Sequence, residues 1–149
     1  MTAIHDLSAA ELSAAYARGA LSPVETVRAV LDHVARWEPQ LHATWALDAE
    51  AARAGAPLSA LDGVPGTLKE NIATRGLAVP VGTAATELVP APEDAPPAAR
   101  LREAGVVILA KTTMPDWGML SSGLSSFHAL ARNPWDTTKN PGGSSAGAG

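Results

Sequence analysis

DAPPAARLREAGVVILAK, residues 94–111, contains a helix, a stop and a strand in immediate succession. Asp94 can cap a helix running through Ala104, and Gly105 suits its C-terminal stop. VVILA, residues 106–110, is apolar at every position, the pattern of a central strand covered on both faces. Upstream, GVPGTLKEN, residues 63–71, reads as a short strand that ends in charge. Leu41, Ala43, Trp45 and Leu47 alternate as in a half-buried strand, and a short alanine-rich helix is expected from Asp48 to Ala54. The proline- and alanine-rich stretch from Leu77 to Pro97 reads mostly as loop. Helices alternating with strands in this way point to a layered α/β fold. VVILA needs neighbours on both edges and both faces, because exposed strand edges favour aggregation.

Two helices precede this region. Ser8 and Glu11 form a capping box, Leu12, Ala15 and Tyr16 share the face that follows, and Gly19 suits the end. Ser22, Pro23 and Glu25 repeat the start signal, with proline at a position where its missing donor does no harm. Val24, Val27, Leu31 and Val34 then form one apolar stripe, which Pro39 is expected to stop. Residues 1–40 thus read as N-terminal helices and 41–149 as a partial α/β core.

Composition narrows the function. A chain of 149 residues with 46% hydrophobic and 17% charged residues can bury a core. The net charge of −4 gives no basic footprint for direct contact with nucleic acid. Without cysteine, neither disulfides nor thiolate metal sites arise. The N-terminus is not a signal peptide, and no apolar run approaches the ~20 residues that cross a bilayer. The expectation is a cytoplasmic protein with no membrane partner. His5, His33, His42 and His128 are scattered and read as surface or structural, while Trp37, Trp45, Trp117 and Trp135 read as core.

From Ser121 to Gly149, 11 of 29 residues are serine or glycine. A flexible linker has such a composition. It has no use, however, for large apolar anchors such as Leu124, Phe127, Leu130 and Trp135, or for the pairs Asn133-Pro134 and Asn140-Pro141. PGGSSAGAG, residues 141–149, reads as the entry to another helix, as though the chain were interrupted.

Two lysines and one glycine-serine segment have chemical potential. Lys69 ends an apolar strand, where desolvation can make a lysine a base, although a strand-end lysine is as a rule solvated. Lys111, after VVILA, has the same local standing, and spacing does not choose between them. PGGSSAGAG offers two hydroxyls among glycines that let backbone approach a ligand. It lacks the Gly-Lys-Ser/Thr ending of a phosphate-binding loop, and in isolation it is a glycine turn.

In combination these motifs resemble a known family. GVPGTLKEN, then AGVVILAKTTMPDWGMLSS, then NPWDTTKNPGGSSAGAG, in that order and behind LSAAELSAAYARGALSPVETVRAVLDHV, is similar to the N-terminal portion of the amidase signature family. The resemblance covers nearly the whole chain and implies part of a mixed central sheet flanked by helices. It also implies a Ser–cis-Ser–Lys triad that hydrolyses a carboxylic amide to acid and amine through an acyl-enzyme.

Lys69 matches the catalytic lysine of the Gly-x-Pro-x-x-x-Lys pattern (Gly63, Pro65, Lys69), and Lys111 matches a position outside the triad. Ser144 matches the bridging serine, preceded by a cis peptide after Gly143, and Ser145 its supporting neighbour. The implied chemistry is a relay in which neutral Lys69 takes a proton through the Ser144 hydroxyl and later returns it. Met119, Ser121 and Ser122 match a segment lining the acyl side of the site, although packing at a helix start explains them equally.

The family's nucleophilic serine and oxyanion turn lie past Gly149. None of Ser121, Ser122, Ser125, Ser126 or Ser145 matches the nucleophile, so the chain alone is expected to be inactive. The resemblance implies no metal or organic cofactor. Ala146 and Ala148 replace residues often glycine and serine in the family, and the Trp45–Leu61 interval is short for it. Two alternatives accompany the amidase reading. One is the A subunit of a glutamine-dependent tRNA amidotransferase, and the other a non-enzymatic remnant.

Overall fold

The computed structural model describes residues 2–47 and 59–149. The alanine-rich helix expected at 48–54 lies outside them, as does most of the short interval before Leu61. Among the described residues three helices, α1 (Ala9–Ala17), α2 (Pro23–Leu41) and α3 (Pro96–Glu103), accompany three strands, β1 (Thr44–Leu47), β2 (Pro65–Lys69) and β3 (Val107–Thr112). Short 3-10 turns form at Ile4–Asp6, Asp116–Gly118 and Ala146–Ala148.

Both capping boxes form. Ser8 accepts from the Glu11 N–H while the Glu11 carboxylate accepts from the Ser8 backbone, and Ser22 and Glu25 repeat the exchange. Pro39 does not end α2, which continues to Leu41 and closes at His42, whose φ is 50°. A proline this near the end removes a single donor from the last turn. The His42 N–H still reaches the Glu38 carbonyl at 3.0 Å, and the Glu38 carboxylate accepts from Ala43 and Thr44 at 3.3 and 3.0 Å. This arrangement keeps Leu41 in the helix, so β1 begins at Thr44 rather than at Leu41.

The sheet order is β1-β3-β2, with β1 antiparallel and β2 parallel to β3. Every residue of β3 is buried. Val107, Leu109 and Ala110 meet Val27 of α2, with Val30 and Leu31 alongside. Ile108 meets Leu68 of β2 and Ala98 of α3, with Ile72 and Leu101 alongside. Covering both faces is what the unbroken VVILA run requires, and each such side chain contributes about 1.5–3 kcal/mol.

Asp94 does not cap α3. The N-cap is Ala95, without a side-chain cap bond. Pro96 and Pro97 open the helix and carry no N–H to be capped. Asp94 instead accepts from the Arg75 N–H at 2.8 Å and lies 3.1 Å from the Arg102 guanidinium. Gly105 follows α3 with φ +83°, and a methyl group there would lie 2.0 Å from Asp62 Oδ1.

The large side chains expected in the core divide differently. Trp45 is half-buried and meets Phe127 edge-on at 5.6 Å. Trp37, Trp117 and Trp135 are exposed, Trp135 by 94%, and so is Leu124. Among the described residues no helix is long and apolar enough to cross a membrane.

Candidate active site

Strand β2 delivers Lys69 to its C-terminal end, in register with Thr112 of β3. Seventy-five residues later in the chain, the Ser144 hydroxyl lies 2.6 Å from Lys69 Nζ. Both residues are half-buried. The Gly143–Ser144 peptide is cis.

Glycines allow this approach. A methyl group on Gly143 would lie 2.6 Å from Leu120 O and from both N and O of Ser122. At Gly147 a methyl would fall 1.9 Å from Ala43 O and 2.6 Å from Thr113 N, while the Gly147 N–H donates to Thr113 O at 3.0 Å. The segment carrying Ser144 is therefore pinned on one side to 120–122 and on the other to the end of β3.

Segment 118–122 borders Ser144, since a methyl on Gly118 would lie 3.8 Å from Ser144 Cβ. Met119 is 83% exposed and Ser121 is exposed, whereas Ser122 is half-buried and its Oγ accepts from the Leu124 N–H. No helix starts there. Asp116–Gly118 is a single 3-10 turn with Trp117 at φ 52°, its N–H donating to the carbonyl of Val81, itself at φ 54°. Ser145 is exposed, and its carbonyl accepts from the Ala148 N–H. Ser125 and Ser126 are engaged elsewhere, Ser125 donating to Gly82 O and Ser126 to Asp116 at 2.6 Å.

Lys111 occupies a different setting from Lys69. It is fully buried, and its amine donates to Ile72 O and, at 2.9 Å, to Thr74 Oγ1. Burial lowers its pKa from the ordinary 10.5 to about 8, partly offset by the Glu70 and Asp94 carboxylates. The buried pair of Glu70 and His128, joined at 2.6 Å, is not legible in the sequence, where His128 is one isolated histidine. Among the described residues no group of three or more His, Cys, Asp or Glu is placed to hold a metal ion.

A hydroxyl both donates and accepts, so the Lys69–Ser144 contact can pass a proton between the amine and a third group on the far side of Ser144.

The chain matches known proteins in both sequence and shape. A family model described as Amidase matches residues 18–149. The A subunit of the glutamyl-tRNA(Gln) amidotransferase of Thermobifida fusca is 41% identical over 160 residues, 99% of this chain and 32% of the relative. Its counterpart from Oleidesulfovibrio alaskensis is 39% identical, again over 99% and 32%. The native peptide amidase of Stenotrophomonas maltophilia matches with a TM-score of 0.87 and 31% identity, over 95% of this chain and 33% of that one. Fatty acid amide hydrolase matches with a TM-score of 0.88 and 25% identity, over 97% and 28%. The chain spans about a third of the length of the relatives it matches. With a family match over all but its first helical stretch, this chain belongs to the amidase signature family and forms part of that family's fold.

Proposed function

We propose that these residues contribute Lys69 and Ser144 as the proton relay of a site that hydrolyses a carboxylic amide to acid and amine. The carrying observation is the 2.6 Å contact between Lys69 Nζ and Ser144 Oγ. In this reading a serine from outside the 149 residues attacks the amide carbon. Its proton passes to Ser144 Oγ as the Ser144 proton passes to Lys69. The relay then reverses, the C–N bond breaks, and the leaving amine takes the proton. Water releases the acid from the acyl-enzyme by the same route. Gly143 and Ser145 hold Ser144 in place, and Met119, Ser121 and Ser122 line the acyl side.

A second reading concerns the amide. The two amidotransferase relatives are more similar in sequence than the two solved amidases, at 41% and 39% against 31% and 25%. This favours glutamine as the substrate and transfer of its ammonia within an amidotransferase.

The test is ammonia release from glutamine and from small carboxamides by the polypeptide encoded by the complete reading frame containing these residues. General acid–base groups contribute about 10²–10⁴-fold, so Lys69→Ala and Ser144→Ala should each reduce turnover by at least that lower figure. Unchanged turnover in either variant overturns the relay. Release from glutamine alone selects the second reading.

A further inference from the structure

Glu70 follows Lys69 directly and is fully buried, although it takes no part in the relay. Its Oε2 lies 2.6 Å from His128 Nε2, and the two side chains are 0% and 6% exposed. One hydrogen bond joins the imidazole and the carboxyl group. His128 also lies against Trp45 and Phe127, with ring centroids 6.0 and 4.8 Å away.

The contacts form a closed ring. Lys69 touches Ser144, Ser144 follows Gly143, and Gly143 sits against the backbone of Leu120 and Ser122. From Ser122 the chain turns twice before reaching His128. The Ser122 and Ser125 hydroxyls accept backbone N–H groups on the way, and Asp116 holds Ser126. His128 then returns to Glu70, the neighbour of Lys69. Among the described residues, the Glu70–His128 hydrogen bond ties the loop that receives Gly143 back to the end of β2 beside the lysine.

We propose that Glu70 and His128 are positioning residues that close a ring around the Lys69–Ser144 contact and hold the lysine against the serine. The inference rests on the relay reading above. Replacing either residue with alanine should release Lys69 from Ser144 without dismantling the sheet. A buried pair cut on one side leaves a polar group without its partner, and the local strand end and loop are free to separate.

Competitive acetylation with acetic anhydride tests this in the full chain, with Lys69 reactivity expressed relative to exposed Lys139. Ser144→Ala sets the scale and should raise Lys69 reactivity at least threefold. Glu70→Ala and His128→Ala should each raise it comparably. Glu70→Gln, which keeps an oxygen to accept from His128, should stay within twofold of the parent. Hydrogen exchange at Val107–Ala110 in β3 should be unchanged in all of them.

If Ser144→Ala raises Lys69 reactivity while Glu70→Ala and His128→Ala do not, the positioning role is wrong and the relay reading stands. If Ser144→Ala itself has no effect, both fall. Loss of β3 protection in step with the rise at Lys69 would make the pair a general stabiliser and overturn the proposal.

Discussion

Replacing Gly143 with alanine tests how tightly the site depends on backbone approach. The added methyl would lie 2.6 Å from three backbone atoms, Leu120 O and Ser122 N and O, and ordinary contact begins at 3.4 Å. None of these atoms is the end of a flexible side chain. The two segments must therefore part by about 0.8 Å, the difference between those distances. Applied along the Lys69–Ser144 line, that displacement stretches the 2.6 Å contact to about 3.4 Å. Such a separation exceeds the range of roughly 2.7–3.2 Å in which an N–H and an oxygen bond well.

A misplacement near 1 Å costs about 10²-fold in rate, and overpacking costs ~1–3 kcal/mol in stability. Ammonia release and a urea unfolding curve measure the two effects on the same sample. Gly19→Ala is the control, since Gly19 has φ +66° and nothing within 4 Å of an added methyl. It should lose ~1–2 kcal/mol of stability with no change in turnover. Turnover of folded Gly143→Ala within threefold of the parent would refute the reasoning.

Three further outcomes follow from the packing and charge of the fold. Lys111 loses its proton at about 8 in the native chain and at the ordinary 10.5 when unfolded, so between these values the unfolded state holds more protons and stability rises with pH. Relative to Lys111→Met, urea titrations should show the parent gaining roughly 3 kcal/mol across that window, at 1.36 kcal/mol per pKa unit; parallel curves would contradict it. Leu109→Ala, in the middle of buried β3, should cost about 2–5 kcal/mol in the same assay, while Trp135→Ala, 94% exposed, should stay within about 0.5 kcal/mol. Ser22→Ala removes the oxygen that accepts from Glu25 N–H and should lower stability by about 0.5–2 kcal/mol, with helix loss visible by circular dichroism.

The elements legible in the sequence are those determined by local chemistry. The two capping boxes and the glycine stop at Gly105 depend on residues close together in the chain, and each forms; of the apolar VVILA run, Val107–Ala110 are buried in β3, while Val106 is half-buried ahead of it. Features that depend on distant partners are not legible in this way. Asp94 has the residue type of a cap, but two prolines remove the donors and Arg75 and Arg102 draw it away. Pro39 has the residue type of a helix stop, but Glu38 carries the chain through to β1.

The site follows the same division. Lys69 and Lys111 are equivalent by local pattern, and what separates them in space comes from distant residues: Ser144 meets Lys69, while Ile72 and Thr74 hold the buried Lys111. The partnership of Glu70 with His128 spans 58 residues and leaves no periodic trace. Trp117 and Trp135 suit a core on size alone, yet both are exposed.

The relay is tested most directly by a double-mutant cycle on turnover. Ammonia release is measured for Lys69→Ala, Ser144→Ala and the two combined, in the polypeptide encoded by the complete reading frame. Groups that pass one proton act as a unit, so the double variant should be no slower than the worse single variant. Losses that multiply, each substitution subtracting its full effect in the absence of the other residue, would contradict the account.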